Sequence, residues 1–330
     1  MTRILHSGWE HGSLAWLTTV EVQLVISSSG PRNGTYHLSV PSNNPSGGRH
    51  GYKYLAAPVS EFYFRNGMRA DTDSATLRFR EGSTVHIDVR LTASGAIAVY
   101  RGTTLLASYG AYAGSSYYCV EGHVKIHDTT GIVKINVDGA LVIDLTGIDT
   151  RNGGTVGQVD NIAFGVSGIG QAYHDDFALN DTAGTVNNSW IGNGRCALMI
   201  PNAAGDQTDF TPLSGNNFDN VKQVPHDSDT TYNQSETVDH YDLYNLTTVT
   251  LLSGEEVNAI AATAVANLGA AGDGNIKVGI KTASEDWGDA VAMGSDAYRF
   301  YQKVYEVDPA DSSAFNQAKL DALQVGVKVA

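Results

Sequence analysis

Cysteine, proline, methionine and charge are all scarce in this sequence. Its two cysteines, Cys119 and Cys196, have no Cys-x-x-Cys pair and no neighbouring histidine. That excludes a zinc ribbon or a dithiol motif and predicts two buried free thiols rather than a disulfide. Charged residues make up only 17% of the chain and hydrophobic residues 42%, too little charge and too much apolar material for a disordered polymer. Bases are the scarcer sign: 21 against 35 acids give a net charge of -14. Phosphate binding needs clustered Lys and Arg, so nucleic acid is not an expected partner. Long apolar runs are missing too. The least polar stretch, Ala259 to Leu268, is far short of the roughly 20 residues that span a bilayer, so no membrane insertion is expected. Arg3 is the only early base, and His6, Glu10 and His11 interrupt any apolar leader core. The expectation is a chain made in a cytoplasm and kept there or assembled into a particle.

What is present is written in strands. Val85 to Leu91 alternates apolar and polar at every step, the period of a half-buried strand. Ala96 to Tyr100, Thr103 to Ser108, Tyr117 to Ile126, Val133 to Val137 and Leu141 to Leu145 follow as strands, with Asp138-Gly139 as a two-residue hairpin turn. Ile162 to Val166 and Phe177 to Leu179 are short closing strands. Before these, Trp16 to Ile26, Thr35 to Val40 and Glu61 to Arg65 read as strands, and Ser42 to Gly51 as a loop. Short strands, close turns and no periodic helix predict an antiparallel sandwich or jelly roll.

The 330 residues suggest two domains. Residues 1–180 hold 13 bases and 15 acids, residues 181–330 hold 8 and 20, and this break predicts a boundary. We expect domains at 1–180 and 195–330, joined by a linker at 181–194. In the second, Arg195 to Ile200 reads as a strand and 201–247 as a long polar excursion. Val257 to Leu268, Asn275 to Lys281, Ala297 to Val307 and Val325 to Val329 read as strands, although Ala259 to Ala266 could also be helical. Asp311 or Ser312 is the expected cap of one short helix near Ser313 to Leu323, with Phe315, Leu320 and Leu323 as its apolar stripe. The expected fold class is all-β: a jelly-roll sandwich, then a second β-sandwich-like domain with one short helix.

Several segments carry a resemblance. The hairpin Val89 to Tyr100, Gly122 to Asp128, the hairpin Lys134 to Gly139 and the closing Tyr173 to Phe177 resemble the concanavalin A-like, laminin-G-like jelly roll. Ser7-Gly8-Trp9-Glu10-His11-Gly12 looks like a divergent first strand, which in that fold usually pairs near the closing one. The whole chain is similar to virion proteins of tailed bacteriophages, through Asp175 to Asp181, Asn187 to Trp190, Asp242 to Tyr244 and Leu320 to Lys328. The resemblance implies a structural component of a phage particle, tail-associated or on the head surface, made in the host cytoplasm. The partners it implies are other virion proteins and copies of itself, as a closed homo-oligomer such as a trimer. The alternative is a carbohydrate-binding adhesin that recognises a host-surface glycan; a glycoside hydrolase comes third.

The sequence carries no recognisable catalytic pattern. No paired carboxylates of a glucanase strand occur, and Glu285-Asp286-Trp287-Gly288-Asp289 reads as a solvated turn. The histidines show no paired ligand spacing, and Ser167 misses the nucleophile-elbow pattern. No catalytic residue and no enzyme are expected. Asp175 and Asp176, with Asp160 and Asn161, could hold Ca²⁺, against the competing reading that they bond a loop backbone; otherwise no cofactor is expected. Asp227, Asp229, Asp239 and Asp242 read as a solvated acidic face. For a glycan, Tyr52, Tyr54, Tyr112, Tyr117 and Tyr173 are the candidate platforms, although tyrosine is also the usual residue of assembly interfaces, which is the favoured reading of these positions.

Overall fold

A computed structural model describes residues 3–21, 23–42, 49–154, 156–269, 274–294 and 297–330. Contacts divide the chain into two compact units, Met1–Glu10 with Trp16–Cys196 and His11–Ala15 with Ala197–Ala330. Both are built of antiparallel strands, and the whole is an all-β protein with 49% strand. Among the described residues no helix is long and apolar enough to cross a membrane.

The first unit is the jelly-roll sandwich expected from the sequence. One sheet runs in the order Ala140–Ile148, Gly131–Val137, Tyr118–Lys125, Glu61–Ala70, Ala172–Asp181, His37–Val40, Val25–Ser27, with Arg3–Ser7 also pairing with Ala172–Asp181. The first and closing strands therefore meet, as the resemblance implied, but the first strand is Arg3–Ser7 rather than Ser7 to Gly12: the chain leaves the sheet after Ser7 and turns at Trp9, φ 62°. The second sheet runs Thr104–Tyr109, Ile97–Arg101, Thr84–Leu91, Ala75–Glu81, Val159–Val166, Arg49–Val59, Thr19–Val20. Asp138 and Gly139 both take positive φ, 49° and 84°, as a two-residue hairpin requires. Between the sheets lie Phe62, Phe64, Leu77, Phe79, Ile87, Val89, Phe164 and Phe177, all fully buried. Phe164 is the centre of an aromatic group, with ring centroids 5.5 Å from Trp9, 4.8 Å from Phe177 and 5.8 Å from His174. Such edge-on pairs add about 1 kcal/mol each beyond area burial.

Some elements differ from expectation. Trp16 to Ile26 is not one strand: it holds the end of a 3₁₀ turn, Thr19–Val20 in the second sheet and the start of Val25–Ser27 in the first. The segment crosses from one sheet to the other, with Gln23 at φ 79°. Of the loop expected at Ser42 to Gly51, residues 43–48 lie outside the described residues, and Arg49, His50 and Gly51 already belong to a strand, because they pair with Val166, Gly165 and Phe164. Cys119 is a buried free thiol, whereas Cys196 is free but only half-buried. The stretch 181–194 forms no helix, and its only strand residue is Asp181, the end of Ala172–Asp181. It lies along the outer face of the first sheet, where Gly192 N donates to Glu121 Oε1 (2.6 Å) and Trp190 meets Tyr63 edge-on at 5.6 Å.

The second unit has a six-stranded sheet in the order Pro201–Thr208, Tyr241–Leu246, Gln324–Val329, Asn275–Lys281, Glu285–Trp287, with Val291–Ala292 also on Asn275–Lys281. A separate ladder, Ile260–Ala266 with Arg299–Tyr305, shares its core: Ala262, Tyr301 and Tyr305 pack with Ile276, Val278, Ile280, Phe315 and Leu323. The Ala-rich run is thus a strand, since its partner covers every residue from Ile260 to Ala266. Arg195 to Ile200 is coil, and the strand begins at Pro201; its small residues hide it from any apolar periodicity. Two strands of the main sheet fall inside the expected excursion 201–247, and the remaining 209–240 holds a short ladder, Thr211–Pro212 with Asn233–Gln234, and two 3₁₀ turns. Glu285-Asp286-Trp287 is a strand rather than a solvated turn, because Gly279 leaves room for the Trp287 ring where a Cβ would lie 2.7 Å from it. The helix is Gln317–Asp321, capped by Asn316, whose side chain accepts from Lys319 N; Asp311 instead caps Ser313 N. Its expected stripe, Phe315, Leu320 and Leu323, is buried.

Candidate functional site

The pleat of the second sheet sorts its residues into two faces. Leu77 and Phe79, Ile87 and Val89, Ile162 and Phe164 point into the core, so Thr76, Arg78, Arg80, Asp88, Arg90, Asn161, Ala163 and Gly165 lie on the other face. Pairing aligns them in rows. One row reads Tyr52, Ala163, Arg78, Asp88, Tyr100; the next reads His50, Gly165, Thr76, Arg90, Ala98. The floor is small: a Cβ on Gly165 would lie 2.5 Å from the His50 ring, so only glycine lets that ring settle against the sheet. His50 Nε2 lies 3.2 Å from Thr76 Oγ1.

Charge on this face is arranged around one buried carboxylate. Asp88 Oδ2 accepts from Arg78 Nε at 3.0 Å and from Arg90 Nη2 at 2.8 Å. Its Oδ1 has no hydrogen-bond partner. The Arg90 guanidinium lies 4.1 Å above the Tyr100 ring, and Arg80 lies 4.7 Å above the Tyr52 ring. Planar guanidinium on an aromatic face is a stable pairing that fixes the orientation of the fork. Tyr52 OH donates to Glu21 Oε1, and burial together with that bond pushes its hydroxyl up to about 12.

A cleft of about 430 Å³ opens over the strand Thr84–Leu91. Arg78, Asp88 and Arg90 form its sheet wall; the turns at Ser83–Thr84 and Gly102–Thr103, and Asn152, form its rim. The rim is fixed by Glu81 and His86. Asn152 N donates to His86 Nδ1 at 3.1 Å, His86 Nε2 meets Glu81 Oε2 at 3.1 Å, and Gly157 N donates to the same oxygen at 3.0 Å. Burial acts to raise the Glu81 carboxyl, but the bonds from His86 and from backbone N–H groups outweigh it and hold it down at about 2.

The five candidate tyrosines are not brought together. Tyr52 and Tyr54 stand on this face; the Tyr52 ring is capped by Arg80, whereas Tyr54 is 48% exposed. Tyr112 packs on Tyr118, centroids 4.9 Å apart. Tyr117 and Tyr173 both pack on His37, with Tyr117 OH 3.0 Å from His37 Nδ1 and the Arg69 guanidinium over Tyr173. The arginines and Tyr100 were missed. Their signal was in Ala75 to Glu81 and Val85 to Leu91, where the polar set of two alternating strands is Thr76, Arg78, Arg80 and His86, Asp88, Arg90.

Asp175 and Asp176 sit at a bulge in Ala172–Asp181, with Asp176 at φ 48°. Every carboxylate oxygen there accepts a protein donor. Asp175 Oδ1 takes Asp176 N and its Oδ2 takes Arg32 N; Asp176 Oδ1 takes Cys196 N and its Oδ2 takes Arg32 Nη1 at 2.6 Å. Burial and the Asp176 charge push the Asp175 carboxyl up to about 8. Asp160, by contrast, bonds Gly82 N and Asn161 Nδ2. Among the described residues no three His, Cys, Asp or Glu are grouped to hold a metal ion. The other acidic set is dispersed: Asp242 is fully buried, accepting from Phe210 N and Tyr244 OH, while Asp239 pairs with Lys328. Replacing Asp176 by Asn keeps a residue that tolerates positive φ but leaves Arg32 charged without its buried partner. Asp176→Asn should cost about 3 kcal/mol in urea unfolding; a loss below about 1 kcal/mol would mean that this junction is not what pins Arg32.

No family model matches the chain, and no curated protein matches it. Similar solved structures include a cellulose-induced protein, Cip1, at 12% identity and TM-score 0.43, covering 58% of this chain and 100% of that one. A carbohydrate-binding module, CBM66, from Bacillus subtilis has 13% identity and TM-score 0.35, covering 49% and 94%. A carbohydrate esterase of Shiga toxin-encoding bacteriophage phi24B has 10% identity and TM-score 0.39, covering 54% and 97%. The expectation of a virion component stands on the sequence resemblance alone.

Proposed function

We propose that the jelly-roll unit is a glycan-binding module whose ligand lies on the outer face of the second sheet, over the strand Thr84–Leu91. The observation that carries this is the cleft walled by Arg78, Asp88 and Arg90, fixed donors and one acceptor on a rigid sheet whose same face carries, three strands away, the exposed Tyr54 ring. Sugars offer hydroxyl edges to such groups and apolar C–H faces to an aromatic ring. Binding without hydrolysis fits the same face. A glycosidase needs two carboxylates roughly 5–10 Å apart. Here Asp88 is committed to two arginines, and Glu21 bonds Tyr52, which is rooted three strands from Asp88, about 14 Å away. The particle setting comes from the sequence resemblance, and in it the module would meet a host-surface glycan.

A glycan array probed with the full chain tests this reading. Retention on a defined subset of saccharides is expected, weakened about tenfold, or ~1.4 kcal/mol, by Tyr54→Ala. No retention on any saccharide would overturn it.

A further inference from the structure

We propose that the ligand is an acidic glycan, and that its carboxylate or sulfate group is taken by Arg80 together with Arg78. This rests on the reading of the same face as a glycan site. Three guanidinium groups share it: Arg78 and Arg80 are successive same-face residues of one strand, and Arg90 is diagonal to Arg78 across the pair Arg78–Asp88. Like charges so placed repel. Asp88 answers two of them through one oxygen. Arg80 has no ion-pair partner within 4 Å among the described residues, and its buried Nε has no hydrogen-bond partner.

The arrangement is also costly for this chain as a whole. A protein with 21 bases and a net charge of -14 places three arginines on adjacent positions of one sheet face. A neutral sugar needs no such excess of positive charge. An anion does, and a guanidinium held over Tyr52 can give two parallel N–H bonds to a planar acid group. Arg78, which lines the cleft, donates its Nε to Asp88, and among the described residues its two Nη groups have no hydrogen-bond partner. Asp88 Oδ1, likewise unpartnered, is an acceptor for a ring hydroxyl once the acid draws the guanidinium groups toward itself.

The test measures binding of the full chain to three immobilised polymers: a polyuronate, the same polymer after reduction of its carboxyl groups to alcohols, and a sulfated polysaccharide. The inference expects binding to the polyuronate, the sulfated polymer or both, at least tenfold weaker binding to the reduced polymer, and weakening by added salt. Arg80→Gln should lower acidic-polymer binding at least tenfold. Arg80→Lys should restore little of it, because lysine keeps the charge but not the fork. Unchanged thermal melting of both variants excludes misfolding as the cause. Equal binding to acid and reduced polymer would overturn the acidic class and leave the glycan site standing. Binding to none of these polymers, with no retention on the array, would overturn both.

Discussion

Acidification from pH 7 to pH 4 is expected to remove several kcal/mol of stability from the jelly-roll unit. Three of its histidines are held neutral: His37 and His174 are fully buried, and His6 is half-buried with its Nδ1 inside. Burial, with the Arg3 and Arg65 charges, pushes His6 down to about 3; burial, with Arg69, pushes His37 to about 4; burial alone pushes His174 to about 4. His174 shows the cause in its bonds: Nε2 lies 3.0 Å from Gly165 O, so it carries the proton, and Nδ1 lies 2.8 Å from Asn66 Nδ2, so it accepts. A second proton has no place. In the unfolded chain the same rings titrate near 6.5, so below that pH the unfolded state binds more protons and stability falls. The window is about 6.5 down to about 4. A depression of 2.5 units is worth about 3 kcal/mol per ring. Asp175, Glu10 and Glu121 work in the opposite direction, their carboxyls raised by burial so that they cost stability as pH rises, while the depressed carboxyls of Glu81, Asp71 and Asp73 add to the loss on acidification. Melts followed by tryptophan fluorescence should show Tm falling by more than about 10 °C between pH 7 and pH 4.5. A flat Tm across that range would mean that the imidazoles are not buried neutral.

The second large effect is expected from Phe164→Ala. Phe164 is fully buried and touches Trp9, Trp16, His174 and Phe177, so truncation opens a cavity against two tryptophans from the N-terminal segment and two residues of the closing strand. The cost should be about 3–5 kcal/mol, read as a lower urea midpoint at unchanged slope. A loss under about 1 kcal/mol would mean that the N-terminal tryptophans pack independently of the sandwich core.

The strands that sequence reading located best carry a clear apolar signature. Val85 to Leu91 and Asn275 to Lys281 alternate cleanly or carry compact β-branched runs, and they lie where expected. Pro201–Thr208 and Arg49–Val59 were missed because small, polar or proline residues carry no apolar period; backbone pairing holds them. The site was legible only in part. Single tyrosines stand out in a sequence, and Tyr52 and Tyr54 do lie on the face. Which strands sit side by side is not written locally, so the meeting of Arg78 and Asp88 across one pair, and of Arg80 with Tyr52 across Val159–Val166, needed the sheet order. The carboxylates of Asp175 and Asp176 look like metal ligands until Arg32 and Cys196, distant in the chain, are found to donate to them.

The most direct test of the glycan site is a crystal structure of the full chain with an oligosaccharide retained on the array. The sugar is expected over the strand Thr84–Leu91, with ring hydroxyls or an acid group about 3 Å from the guanidinium nitrogens of Arg78, Arg80 or Arg90. A sugar bound instead beside Tyr117 and Tyr173, or on the second unit, with the arginine face empty, would contradict the assignment.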